Sequence, residues 1–204
     1  MGSAARKAKT DNHPASKAAK LELRRNILEH VSPARVFDGF CGTGEMYRGV
    51  WHEAEDYVGC DERPWARTHP PRFVADNRRV MRAIDLHAFN VFDLDAYGSP
   101  WEQVTILAAR RSWAPGEKGG LVITDGSSLN LRWGGVPHAV AKLAGMASAQ
   151  GVPSTAGIPE LQALALVGFV RRAAVKVLQM WQAEGKSAAN VCYTALVFEG
   201  LPAC

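Results

Sequence analysis

Four acidic side chains stand at the ends of short apolar runs: Asp38 in VFDGFCGTGE, Asp61 in YVGCD, Asp76 in FVADN and Asp95 in FNVFDLDAYG. The first run passes into a glycine-rich turn, Gly39 to Gly44, where the missing Cβ lets the backbone approach a ligand and positive φ is cheap. No Gly-Lys-Ser/Thr follows, which excludes a phosphate-cradling P-loop, and a carboxylate at position 38 repels a pyrophosphate and suits a cationic ligand. Asp61, one strand-helix-strand unit later, stands where a carboxylate accepts hydrogen bonds from both hydroxyls of a ribose. Asp76 and Asn77 end the third run as a polar pair suited to the exocyclic amine of adenine. An ammonium group, a ribose and an adenine thus match three tips in chain order, and S-adenosylmethionine carries all three. An NAD-type domain is the competing assignment, with Asp61 in the same ribose role.

The fourth tip lies in FDLDAYGSPWE, residues 92–102. Asp93 and Asp95 are two apart, so an ideal strand projects both to one face, and one of them needs a partner if buried. Asp95, at the tip, is the candidate for chemistry, together with Ala96 and Tyr97. Ser99, Pro100 and Glu102 read as N-cap, N1 and N3 of a capping box that starts a helix, and Gly98 permits the tight turn before it. Asp125, in TDGSS, either lines the same pocket or belongs to an ordinary turn.

The elements that must hold these tips are legible from the apolar pattern. Buried-strand runs fall at residues 34–37, 57–60, 73–75, 88–94, 121–124 and 191–198, with helical segments at 46–54, 78–85 and 101–113 between several of them. Strands alternating with crossover helices predict an α/β fold with a doubly wound, mostly parallel sheet, whose ligands bind at the carboxyl ends of the strands. A helix from Ser16, ended by Ser32-Pro33, precedes the first strand, and residues 161–184 read as one long amphipathic helix. Residues 132–160, rich in Gly, Ala, Ser and Pro, read as a helix near 137–146 and then a loop. With 204 residues, 47% of them hydrophobic, one domain with a full core is expected over residues 16–204, after a disordered basic arm over 1–15.

Net charge is +4, and Arg6, Lys7, Lys9, Lys17, Lys20, Arg24 and Arg25 face only Asp11 and Glu22 in the same stretch. Such an arm follows a polyphosphate backbone or serves as a solubilising tail. Arg78, Arg79 and Arg82, after the third strand, hold a phosphate or form a solvated helix face. Four cysteines without a Cys-x-x-Cys spacing indicate neither a zinc site nor a disulfide framework. The longest apolar run, residues 161–170, is too short to span a bilayer, and the start has no signal-peptide core; a cytoplasmic protein without membrane contact is expected.

VFDGFCGTGE resembles the first motif of the class I S-adenosylmethionine-dependent methyltransferases, in the form common among nucleic-acid methylating members. That resemblance implies that Asp38, Gly39, Phe40, Gly42 and Gly44 hold the methionine end, Asp61 the ribose, and Asp76 with Asn77 the adenine. FDLDAYGSP, followed by GGLVITD at residues 119–125, is similar to the tRNA guanine-N2 dimethyltransferases, over about residues 16–130. Two features depart from that family: Ala96 stands where it has proline, and the chain is too short for its C-terminal domain. The resemblance implies a nucleic-acid acceptor, RNA ahead of DNA, methylated at an exocyclic amine. In that assignment Asp95 and the Ala96 carbonyl accept the amine's two N–H bonds and Tyr97 stacks on the base. Methylation of a protein or small molecule, and a cofactor- or nucleic-acid-binding module without turnover, are the other functions the sequence admits.

Overall fold

The computed structural model describes residues 14–64, 72–126, 136–146, 158–184 and 191–202. Its elements in chain order are α1 (Pro14–His30), β1 (Arg35–Asp38), α2 (Glu45–Gly49), β2 (Asp56–Asp61), β3 (Phe73–Val74), α3 (Asn77–Ala83), β4 (Val91–Asp95), α4 (Trp101–Arg110), β5 (Lys118–Asp125), α5 (His138–Leu143), α6 (Ile158–Ala173), β6 (Val175–Glu184) and β7 (Cys192–Gly200). The expected basic arm lies outside the described residues apart from its last two, which already belong to α1.

The strands form one sheet in the order β3-β2-β1-β4-β5-β7-β6. The first five are parallel, and β7 inserts antiparallel between β5 and β6. Successive strands are added on one side of β1 up to β3 and on its other side from β4, so the carboxyl ends of these two parallel strands flank the switch point. Gly39, just past β1, donates its N–H to the Asp93 carbonyl of β4 at 2.9 Å, which closes that point on the strand side.

Both faces of the sheet are buried. On one, Ile27 of α1 and Trp51 pack against Val36, Val91, Val122, Tyr193 and Val197. On the other, Met81, Trp101, Leu107 and Phe169 from α3, α4 and α6 pack against Phe37, Phe92, Leu121 and Phe198. This two-sided cover is why the central strands read as continuous apolar runs.

Two expectations require correction. Residues 161–184 are not one helix: α6 stops at Ala173, Ala174 takes a left-handed φ of 50°, and Val175 begins β6. The run VKVLQMWQ has no decisive period, and its pairing with β7 from Val175↔Gly200 to Glu184↔Cys192 overrides the helical preference of its neighbours. The capping box before α4 also does not form. Pro100 occupies the N-cap without a side-chain cap, and Glu102 turns instead to Arg78 and Arg82 of α3. Two guanidinium groups compete for that carboxylate more strongly than one backbone N–H.

Candidate active site

Local rules place the first tip. β1 delivers Asp38 to the strand end, and Gly42 and Gly44, at φ 49° and 77°, turn the chain into α2 in a conformation costly for other residues. At Gly39 a Cβ would lie 3.1 Å from Leu94 of β4, so a side chain there would press on the core. Cys41 donates its N–H to the Cys60 carbonyl at 3.1 Å, and Gly42 donates to Asp61 Oδ2 at 3.1 Å. The glycine turn is therefore fastened to the tip of β2. Phe40 packs half-buried against the core.

Asp38 is buried and accepts the Phe40 N–H at 3.0 Å and the Tyr57 hydroxyl at 2.8 Å. Burial, with Asp93 nearby, pushes its carboxyl well above the usual carboxylate range against the pull of Phe40, Tyr57 and Arg24. The Tyr57 hydroxyl is itself pushed up by burial and by Asp38, so it remains a donor. Asp61 also accepts the Arg63 N–H at 2.9 Å, so its carboxylate both shapes the turn and stands at the rim.

At the third tip, Asp76 caps α3 by accepting the Arg78 N–H at 2.9 Å. The Arg78 guanidinium at 2.7 Å holds the Asp76 carboxyl down at about 2. Asn77 is buried, donates to the Gly39 carbonyl at 2.6 Å and accepts from Gln103 of α4 at 2.8 Å. It ties the glycine turn to α3 and α4 with both ends of its amide. Arg78 and Arg82 share Glu102 at 3.1 and 2.9 Å, which commits two of the three candidate phosphate contacts to acids; Arg79 is exposed.

Around the fourth tip the structure adds residues that the sequence reading counted only as part of a basic arm. The two acids of β4 do share a face, and α1 lies across it. Arg24, 1% exposed at its side chain, clamps Asp93 through Nε at 2.6 Å and Nη2 at 2.7 Å, and the Trp51 indole donates to the same Asp93 at 2.7 Å. Arg24 Nη2 reaches on to Asp95 at 3.3 Å, and Lys20, one turn earlier, bonds both Asp95 oxygens at 2.8 and 2.9 Å. Lys20 and Arg24 are thus internal ion-pair partners, and Lys17 pairs with Glu45 of α2, so the basic run divides at α1. Four apart on one helix, Lys20 and Arg24 face the same way, and that spacing was the available signal.

Asp95 keeps 16% of its side chain exposed. Burial pushes its pKa up, but Lys20 and Arg24 more than offset that and hold the carboxyl below its ordinary value. Ala96 follows, buried, with its N–H on the Leu94 carbonyl at 2.8 Å, and Tyr97 projects 79% exposed. Gly98, at φ 121°, accepts the Gly126 N–H at 2.7 Å and joins this loop to the end of β5. Asp125 is buried there, accepting Trp101 Nε1 and Gln162 Nε2, each at 2.7 Å. A cleft of about 1080 Å³ runs from Asp125 between α6 and the β6-β7 pair; it reaches none of the other tips and its walls are largely apolar, so the tips of β1 and β4 remain the candidate site.

Asp38, Asp61, Asp95 and the Gly39 to Gly44 turn therefore converge at the switch point, with Asn77 beneath the turn and Asp76 at the start of α3. Tyr97, two residues beyond Asp95, is exposed on the surface. No described helix is long and apolar enough to cross a membrane.

No protein-family model matches the chain, and no curated protein matches it. Solved structures do. The N-methyltransferase NodS from Bradyrhizobium japonicum WM9 superposes with a TM-score of 0.54 at 14% identity, over 95% of this chain and 100% of that one. Trm1 from Pyrococcus horikoshii, in complex with S-adenosyl-L-methionine, gives 0.59 at 16% identity over 97% of this chain, which spans 59% of that protein's length. TYW2 from M. jannaschii, in complex with AdoMet, gives 0.53 at 12% identity, over 90% and 77% of the two chains. At these identities the likeness is one of fold: the chain has the Rossmann-like methyltransferase fold.

Proposed function

We propose that the protein is an S-adenosylmethionine-dependent methyltransferase acting on an exocyclic amine of a nucleic-acid base, RNA ahead of DNA. One observation carries this reading: an anionic, partly exposed Asp95 ends β4 beside the glycine turn, at the switch point of a methyltransferase fold. The turn suits the cofactor, because its positive-φ glycines, Gly42 and Gly44, carry no side chain over the backbone at the strand ends. Asp38, Gly39, Phe40, Gly42 and Gly44 would hold the methionine end, Asp61 the ribose, and Asp76 the adenine side, with Asn77 supporting the turn from below through the Gly39 carbonyl. When bound, S-adenosylmethionine supplies an electrophilic methyl group.

The residues of this chain act on the acceptor. A base amine is a weak nucleophile because its lone pair is delocalised into the ring, and acceptors on its two N–H bonds push that density back to nitrogen. The Asp95 carboxylate is one such acceptor and the Ala96 carbonyl the other. Held below the usual range, Asp95 orients the amine as a hydrogen-bond acceptor; the nitrogen's surplus proton leaves after the N–C bond forms. Tyr97, exposed beside them, offers a ring on which a base can stack. The basic residues early in the sequence, Arg6, Lys7 and Lys9, favour a polyanionic acceptor.

Tritium transfer from labelled S-adenosylmethionine to unmodified tRNA, DNA and protein tests the reading. Label enters RNA, and Asp95→Asn lowers the rate about 10²–10⁴-fold with cofactor binding unchanged. Full activity in Asp95→Asn would remove Asp95 from the chemistry, and label confined to protein would replace the acceptor.

A further inference from the structure

We propose that Lys20 is a positioning residue of this site: its ammonium fixes the orientation and charge of the Asp95 carboxylate that receives the acceptor amine. The inference rests on the reading of Asp95 above, and it makes α1 a working part of the site as well as a cover for the sheet.

The geometry is specific. Lys20 Nζ lies 2.8 and 2.9 Å from the two Asp95 oxygens, with side chains 15% and 16% exposed. Nζ also sits 5.2 Å from the Tyr193 ring of β7, whose face favours a cation. Lys20 is anchored from behind, because Arg24 Nη1 donates to its carbonyl at 2.8 Å while Arg24 itself is clamped by Asp93. Trp51, Asp93, Arg24, Asp95 and Lys20 form one continuous chain of hydrogen bonds from the core to the rim. The groups facing Asp95 are Lys20 and Arg24 of α1, Asp93 of its own strand and Thr124 of β5 across the ladder.

A free aspartate rotates about its side-chain bonds and carries a variable proton near its ordinary pKa. A carboxylate has about four lone-pair sites. Lys20 takes two and Arg24 one, with Thr124 facing the same carboxylate, so these donors hold the group still and the incoming amine shares its oxygens with them. Lysine can do this at the rim because its compact charge lies at the end of a flexible stem, so it can shift without breaking the buried Arg24–Asp93 clamp.

The test compares Lys20→Met, Lys20→Arg and, as a control on an exposed pair away from the site, Lys176→Met, which removes the contact with Glu199. A ¹³C-carboxyl NMR titration of Asp95 in the ligand-free protein reads the pairing with no acceptor involved. Single-turnover transfer from tritiated S-adenosylmethionine to unmodified tRNA, across pH, reads its effect on reaction. In Lys20→Met the Asp95 midpoint rises by about one pH unit or more. The acid limb of transfer moves up in the same direction, and the plateau rate falls about 10–100-fold at unchanged cofactor affinity. Lys20→Arg restores most of both, and Lys176→Met matches the wild type. An Asp95 midpoint in Lys20→Met equal to that of the wild type overturns the proposal, as does a Lys20→Met rate and pH profile equal to the wild type's. If the wild-type protein transfers no methyl group to any acceptor, the proposed reaction falls and the titration alone decides the role of Lys20.

Discussion

Asp93, Arg24, Asp95 and Lys20 alternate in sign at the end of β4, and Asp76, Arg78, Glu102 and Arg82 alternate in sign across α3 and α4. Each cluster has two acids, two bases and bonds near 2.6–3.3 Å. They differ in access to water. Arg24 and Asp93 are 1% and 0% exposed at their side chains, against 42% for Arg78, 44% for Glu102 and 52% for Arg82. Around Arg24 and Asp93 no water can replace a lost partner; in the second cluster it can. Equal geometry therefore carries unequal consequences, and a list of ion pairs says little until each is placed in or out of solvent.

The sharpest way to break the comparison is Arg24→Met. It leaves Asp93 buried with Trp51 as its remaining side-chain donor and costs about 3–5 kcal/mol in urea unfolding. Adding Asp93→Leu recovers much of that loss, because the uncompensated charge is the damage. A cost under about 1 kcal/mol would place the buried cluster in the same class as the exposed one.

Asp38→Asn acts with the opposite sign. Asp38 has a folded-state pKa raised by burial and by Asp93, so the folded protein holds that proton more tightly than the unfolded chain. Its ionisation lowers stability as pH rises from about 4 upward through the folded pKa. Thermal unfolding against pH should show Asp38→Asn more stable than the wild type at neutral pH and equal to it in acid, at the expense of cofactor affinity. An unchanged pH profile would remove Asp38 as a source of strain.

Smallest are the changes in the exposed cluster. Glu102→Gln costs about 1 kcal/mol or less and loses that effect in 1 M salt. Asp76, with its folded pKa lowered to about 2 by the Arg78 hydrogen bonds, contributes stability that is present above about pH 4 and lost as pH falls towards 2. Asp76→Asn flattens that acid limb, which thermal unfolding between pH 5 and pH 2 would read.

How legible the molecule was follows the same division between local and distant causes. The parallel strands and the glycine turn were readable, because a run buried on both faces and a tight turn leave marks within ten residues of sequence. The side-by-side placing of Asp93 and Asp95 followed from the pleat alone. Their partners lie 69 to 75 residues away in α1, where Lys20 and Arg24 carry no local sign of where that helix docks. β6 was hidden because its identity as a strand comes from β7, and Glu102 looked like a cap because its competitors, Arg78 and Arg82, belong to another helix.

β7 follows β5 and β6 in the sequence, yet it lies between them in the sheet. A growing chain on the ribosome therefore holds β5 and β6 before either can pair with the strand that joins them. Until residues 192–200 emerge, the Lys118–Asp125 edge stays open, with Leu121, Val122 and Ile123 uncovered on that side. Such an unpaired apolar edge is the feature that draws nascent chains into aggregates. Termination just before residue 192 should thus yield an insoluble product, although every tip of the candidate site has already been synthesised.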